Sequence, residues 1–262
     1  MYQQRRTVLS GWMARNNIGM VLFSDFEDNR DPAVRYFSGH PSDALLAVSA
    51  DGSAVLCPWD ENLAKVMADV NAIIPYTAYD RHPMTAVAGL AFHLDIPSGG
   101  RIEIPGTTPY PNFLRYVDTL SDFDVICRDH GVSDAVDGMR SIKDDYELSC
   151  IRKAAAITDM LIDTIERRIT AGSLKTELDA ALLIEKESRA AGCEGTGFET
   201  LAAGPDRSFA IHCFPAYTAG AFGSAGMSIL DFGVKWKGYT SDVTLTVTRG
   251  PLSPEQEKQL DL

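Results

Sequence analysis

The stretch Ile229-Leu230-Asp231-Phe232-Gly233-Val234-Lys235-Trp236-Lys237-Gly238-Tyr239-Thr240-Ser241-Asp242-Val243-Thr244-Leu245-Thr246-Val247 alternates apolar and polar residues on both sides of its centre. Side chains of a strand point alternately to its two faces. A hairpin turning between Trp236 and Lys237 therefore collects Leu230, Phe232, Val234, Val243, Leu245 and Val247 on one apolar face suited to a core. The other face carries Ile229, Asp231, Gly233, Thr240, Asp242, Thr244 and Thr246, with Asp231 directly opposite Asp242. Like charges so placed repel by about 3 kcal/mol at about 5 Å and an effective dielectric of about 20. A shared proton or a bound cation relieves that repulsion. Hard divalent metals favour carboxylate oxygens, and two-metal hydrolases use them to hold ions about 3.5–4 Å apart. The threonine-lined face suits equally well a solvated hairpin with two surface aspartates and no ligand.

Upstream of this hairpin the pattern is helical. Ile151, Ala154, Ala155, Thr158, Leu161, Ile162 and Ile165 recur at helical spacing, behind a start expected at Ser141-Ile142-Lys143-Asp144. A second helix is expected from Ser173, through Leu178, Ala181, Leu182 and Ile184, to a stop at Gly192. Beyond residue 195, glycine, threonine and short apolar runs predict strands. Ser253-Pro254-Glu255-Gln256-Glu257 has the cap, proline and acids of a helix start close to the last residue. That ending suggests a domain cut short.

The first half alternates helical and strand patterns. A helix over 1–16 is followed by a strand at Ile18–Phe23 and a hairpin from Ala44 to Leu56, turning at Asp51-Gly52 as type I′. A helix-like stretch at 61–70 and strands at 72–74, 101–104 and 124–126 complete an α/β domain ending near residue 135.

Composition narrows the function. The 262 residues are 45% apolar and 23% charged, the make-up of a globular chain. Thirty-six acidic against 24 basic side chains give a net charge of −12, which repels phosphate backbones and anionic lipid, so neither nucleic acid nor membrane is an expected partner. Cysteines 57, 127, 150, 193 and 213 form no C-x-x-C pair and read as free thiols of a reducing compartment. The first fifteen residues contain no apolar core of signal-peptide length, and the apolar runs are strand-sized, so a soluble, cytoplasmic protein is expected. Gly195-Thr196-Gly197 lacks the third glycine of a dinucleotide loop, and Gly223-Ser224-Ala225-Gly226 is no nucleophile elbow.

Asp231-Phe232-Gly233, Gly238-Tyr239 and Ser241-Asp242-Val243-Thr244 together resemble the first metal motif of the creatinase/prolidase/methionine-aminopeptidase family, the pita-bread metallopeptidases. The resemblance implies that Asp231 binds one divalent ion and Asp242 bridges two, of manganese, cobalt or zinc. Gly204-Pro205-Asp206-Arg207-Ser208-Phe209-Ala210-Ile211-His212 resembles the family segment ending in a substrate-facing histidine, here nineteen residues before Asp231. It implies that His212 hydrogen-bonds the scissile amide or its tetrahedral intermediate. Without it, His212 reads as a packed strand histidine. Tyr36-Phe37-Ser38-Gly39 and Met139-Arg140-Ser141-Ile142-Lys143-Asp144-Asp145-Tyr146-Glu147-Leu148 resemble the N-terminal domain and the start of the catalytic domain of prolidases and Xaa-Pro aminopeptidases.

The family draws a further His and two Glu from beyond the second Asp. Only twenty residues follow Asp242, none is His, and Glu255 and Glu257 sit in a helix start. Leu245 also stands where many members have Arg. The expectation is thus a mixed-sheet α/β domain over 1–135, resembling the creatinase/prolidase N-terminal domain, and the front part of an α+β pita-bread domain over 136–262. The full-length parent would be a two-metal exopeptidase cleaving Xaa-Pro bonds of short peptides, with this chain an inactive fragment holding an incomplete metal site. A creatinase-like C–N hydrolase of a small amide or amidine, and a catalytically silent peptide-binding module, are the alternatives. Family members are often dimers, which implies a homodimer, although no stretch here marks a self-association surface.

Overall fold

A computed structural model describes residues 1–27 and 29–261, in two compact units, Met1–Ile142 and Lys143–Leu262. The expected boundary near 135 lies inside a helix, Val132–Ser141, and the division comes at that helix's end.

In the first unit, α1 (Tyr2–Arg15) leads to β1 (Met20–Asp25), α2 (Pro32–Ser38), β2 (Ala44–Ser49), β3 (Ala54–Pro58), α3 (Glu61–Met67) and β4 (Ala72–Ile73). A 3-10 turn at Tyr76–Tyr79 precedes α4 (Pro83–His93), β5 (Arg101–Ile104), α5 (Tyr110–Thr119), β6 (Asp124–Cys127) and α6 (Val132–Ser141). The strands form one mixed sheet in the order β4-β3-β2-β1-β5-β6. β1–β2 and β2–β3 are antiparallel, and β1–β5, β5–β6 and β3–β4 are parallel. Apolar layers cover both faces. Val21, Phe23, Leu46 and Val48 meet α1, α2 and α6 on one side, while Met20, Leu22, Leu45 and Ala47 meet α4 and α5 on the other. Two covered faces explain why β2 and β3 are buried throughout and show no alternation. The Asp51-Gly52 hairpin is present, but only Gly52 has positive φ, so the turn is not type I′. Asp51 instead accepts hydrogen bonds from Ser49 Oγ and the Ser53 amide, which fix the wider loop.

The second unit comprises α7 (Asp145–Thr170), α8 (Glu177–Ala190), β7 (Gly195–Thr196), β8 (Leu201–Ala203), β9 (Gly226–Phe232), β10 (Val234–Trp236), β11 (Tyr239–Thr240), β12 (Val243–Arg249) and α9 (Pro254–Leu260). Helix α7 starts later than expected. Asp144 is its cap, closed reciprocally with Glu147, whereas Ser141 ends α6 and donates back to the Gly138 carbonyl. Likewise α8 is capped by Thr176 rather than Ser173. The strands make two three-stranded sheets, β11-β10-β7 and β12-β9-β8. Ala154, Ile157, Leu161, Ile165 and Ile169 of α7 pack with Ile184, Leu230, Phe232 and Val234. Ala155, expected on that stripe, is exposed, and Ile157 takes the buried place. Among the described residues, no helix is long and apolar enough to cross a membrane.

One buried group in the first unit is mismatched to its surroundings. His40 is fully buried and neither ring nitrogen has a hydrogen-bond partner among the described residues. Burial lowers its pKa, with Arg35 acting in the same direction and Asp60 and Asp43 opposing. The unfolded chain therefore takes up the proton first. Stability should fall as the pH drops below the unfolded histidine value of about 6.5, and level off once the folded pKa is passed. His40→Leu should remove that slope and raise stability by about 1 kcal/mol, by removing an unsatisfied buried polar group. Urea titrations at neutral and mildly acidic pH would show it; an equal slope in both proteins would contradict the assignment.

Candidate active site

The hairpin folds with the expected faces but a different register. Its turn is centred on Lys237 and Gly238, both at positive φ, with Trp236 paired to Tyr239. Two such residues suit a tight turn that matches the strand twist. The pairing consequently shifts by two residues: Asp231 lies opposite Thr244, and Phe232 opposite Val243. The directly opposed aspartates of the sequence reading are thus corrected. Asp231 takes the face away from Leu230 and Phe232, which belong to the core side, and Asp242 lies between β11 and β12, outside the paired strands.

Asp231 sits on the central strand of its sheet, between Leu201 of β8 and Thr244 of β12. Its Oδ1 accepts a hydrogen bond from Thr244 Oγ1 at 3.1 Å. Asp242 is exposed where the hairpin passes from one sheet to the other. That crossing is fixed by Gly233 and Ser241. The Ser241 amide donates to the Val234 carbonyl at 3.1 Å, and the Val234 amide donates to Ser241 Oγ at 3.0 Å. Thr158 of α7 meets the same Ser241 hydroxyl at 2.6 Å. A Cβ on Gly233 would come within 1.9 Å of the Ser241 carbonyl oxygen, so only glycine fits.

His212 is exposed in the loop joining β8 to β9, and is not the packed strand histidine of the alternative reading. Its neighbour Cys213 is buried with Leu201, Ala203 and Ile229. Those residues share the sheet face of Asp231, so the loop carrying His212 returns over that face. Phe209, Ile211 and Phe214, on either side of His212, are 89%, 86% and 95% exposed and form an apolar rim.

Glu177, which the sequence reading missed, holds this loop. It is 1% exposed and accepts from the Gly204 amide at 2.8 Å, Arg207 Nε at 3.0 Å, the Thr218 amide at 2.7 Å and Thr218 Oγ1 at 2.6 Å. Burial alone would raise its pKa, but the hydrogen bonds from Thr218, Gly204 and Arg207 outweigh it, and the net shift is downward. Trp236 and Tyr239 are packing residues. Lys153 lies over the Trp236 ring at 5.5 Å, and the Tyr239 hydroxyl donates to Glu147 at 3.0 Å.

Among the described residues, no group of three or more His, Cys, Asp or Glu converges to hold a metal. The donor chemistry nonetheless fits a hard divalent ion in part: two carboxylates of one hairpin reach solvent, and one of them is oriented by Thr244.

The family model for metallopeptidase family M24 matches residues 149–262, the segment that contains the hairpin, the His212 loop and Glu177. Residues 149–262 are thus similar to that family. The M24 segment and the preceding unit together are 24% identical over 254 residues to the Xaa-Pro dipeptidase of Pyrococcus horikoshii, covering 94% of this chain and 64% of that protein. The chain therefore spans a little under two thirds of that relative. In fold it is similar to the X-Pro aminopeptidase from Thermotoga maritima (TM-score 0.78, 22% identity, 98% of this chain, 67% of that one). It is also similar to the prolidase of Pyrococcus horikoshii (TM-score 0.76, 20% identity, 97% and 67%). These likenesses extend through both units, as the weaker N-terminal resemblances implied.

Proposed function

We propose that this chain is part of a metal-dependent exopeptidase that cleaves Xaa-Pro bonds in short peptides. The observation that carries the reading is the match to metallopeptidase family M24 over residues 149–262, the segment that holds Asp231 and Asp242 in its hairpin and His212 in the loop before it. Relatives described as Xaa-Pro dipeptidase and Xaa-Pro aminopeptidase support the substrate class. Asp231 and Asp242 would hold the divalent ions, manganese, cobalt or zinc. Bound there, such ions supply Lewis-acid polarisation and an acidified water. Thr244 orients the Asp231 carboxylate by its hydrogen bond. His212 donates to the carbonyl oxygen of the bond before proline as negative charge develops on it. Phe209, Ile211 and Phe214 offer apolar surface to the peptide. The five thiols suit a cytoplasmic setting, and a homodimer is the assembly we propose.

Two carboxylates leave most of an ion's coordination shell to water, so this chain alone should bind Mn²⁺ only weakly, with a Kd on the order of 10⁻³ M. It should show little or no turnover of Xaa-Pro peptides. Calorimetric titration with Mn²⁺, and assays against Xaa-Pro dipeptides and longer peptides, test this directly. Weak heat abolished by Asp242→Ala supports the ligand assignment. Tight binding of two ions, or turnover lost in Asp242→Ala, would show that the chain is self-sufficient. Heat unchanged by Asp242→Ala would favour the metal-free peptide-binding module.

A further inference from the structure

We infer that the crevice between the C-terminal ends of β1 and β5 is a second ligand site, built for a small zwitterion such as a free amino acid or dipeptide. It lies wholly within the first unit and does not depend on the exopeptidase reading.

The topology makes the crevice. β1 and β5 are parallel neighbours. The chain leaving β1 enters α2 on one face of the sheet, and the chain leaving β5 enters α5 on the other. Loops that part in this way leave a ligand crevice beyond the strand ends in open α/β sheets. Here the cavity measures about 350 Å³, within the range of small-molecule sites. Both charge signs and an apolar wall line it.

At its floor, the hydroxyl of Tyr116, itself 6% exposed, meets Ser24 Oγ at 3.0 Å. A hydroxyl pair shares one proton, so one O–H remains to donate to a ligand. Asp31 lines the wall, its Oδ1 accepting from the Ala33 amide at 2.8 Å. Its ion pairing differs from that of its neighbours. Arg30 is engaged by Asp43 at 2.5 Å and Asp25 at 3.5 Å, whereas Asp31 has no ion pair among the described residues. Burial, reinforced by Asp25 and Asp137 and opposed by the Ala33 amide and Arg140, raises the Asp31 pKa to about 6. A ligand ammonium supplies the missing positive partner. Arg140, which also lines the cavity and is held only loosely to Asp137 at 3.7 Å, is available to a carboxylate. Phe23, Phe26 and Val136 take the apolar side chain.

The test uses the metal-free full chain in EDTA and amide NMR, with L-leucine and glycyl-leucine as probes. Either probe should shift the amides of residues 24–27, 29–31, 33, 107, 108, 110 and 112. N-acetyl-leucine, which lacks the ammonium, should bind at least about tenfold more weakly. Asp31→Asn keeps the helix cap, since asparagine caps as well as aspartate, and should show the same loss. Arg140→Gln should weaken leucine but not leucinamide. Binding should also weaken as the pH falls below about 6, when Asp31 is protonated. Which probe binds more tightly separates a free amino acid from a dipeptide. Shifts confined to residues 209–214 and 231–244, no shifts with either probe up to about 10 mM, or affinity unchanged in Asp31→Asn would overturn the proposal.

Discussion

Glu177→Ala should lower the stability of the second unit by about 3–5 kcal/mol, the usual cost of removing one partner from a buried ion pair. For a unit of this size that corresponds to a fall in melting temperature of roughly 10–20 °C. The size follows from what is left behind. Arg207 loses its carboxylate, and the Gly204 and Thr218 amides lose their acceptor in a place that water reaches poorly. The loop between β8 and β9 should loosen, and His212 with it. Glu177→Gln should fall between the two proteins, since an amide oxygen still accepts but cannot balance Arg207. Acid should mimic the alanine variant. The Glu177 pKa is lower in the folded chain than in the unfolded one, so its stabilisation is present above the unfolded value and is lost as the pH falls through the folded one. Differential scanning calorimetry resolves the second unit's transition. A loss below about 1 kcal/mol would show that water replaces the carboxylate.

Glu177 also shows what a sequence read locally cannot disclose. A carboxylate in the first turn of a helix is ordinary, because it favours the helix dipole. Its partners Gly204 and Thr218 lie 27 and 41 residues away, and nothing in the intervening sequence marks the contact. The same limit explains Asp31 and Tyr116, which only the sheet topology brings to one crevice. By contrast, the faces of the hairpin were legible. Period-two alternation over residues 229–247 is a strong signal, and parity survives any even error in register. The register itself was misread because the turn was set between Trp236 and Lys237, although Lys237-Gly238 puts a glycine where positive φ is needed. At the start of α7 the sequence pattern puts the cap at Ser141, with Asp144 as the carboxylate three residues on, whereas Asp144 is itself the cap. The reciprocal partner of Asp144, Glu147 three residues on, decides between them. The direct pairing expected of Asp231 with Asp242 is thus replaced by the pairing of Asp231 with Thr244.

Gly233→Ala should separate Asp231 and Asp242. The residue follows directly on β9, where the hairpin crosses from one sheet to the other, and a Cβ there would sit 1.9 Å from the Ser241 carbonyl oxygen. The obstacle is backbone, so no side-chain rotation relieves it. The crossing must open, and with it the Ser241–Val234 and Thr158–Ser241 hydrogen bonds. Overpacking usually costs 1–3 kcal/mol, and a clash with main chain belongs at the top of that range, so about 3 kcal/mol is expected. The consequence for the site should exceed the consequence for the fold. Asp231 remains anchored between Leu201 and Thr244, whereas Asp242 directly follows Ser241 in the link between β11 and β12 and is displaced with it. Weak Mn²⁺ binding should then vanish while the far-UV spectrum and the core of α7 and α8 persist. Leu245→Ala, a core-face change in the same strand, serves as the control: it should also destabilise but leave the metal heat in place. If both variants lose Mn²⁺ binding in proportion to their stability, the geometry of the crossing has no special part in holding the two aspartates together.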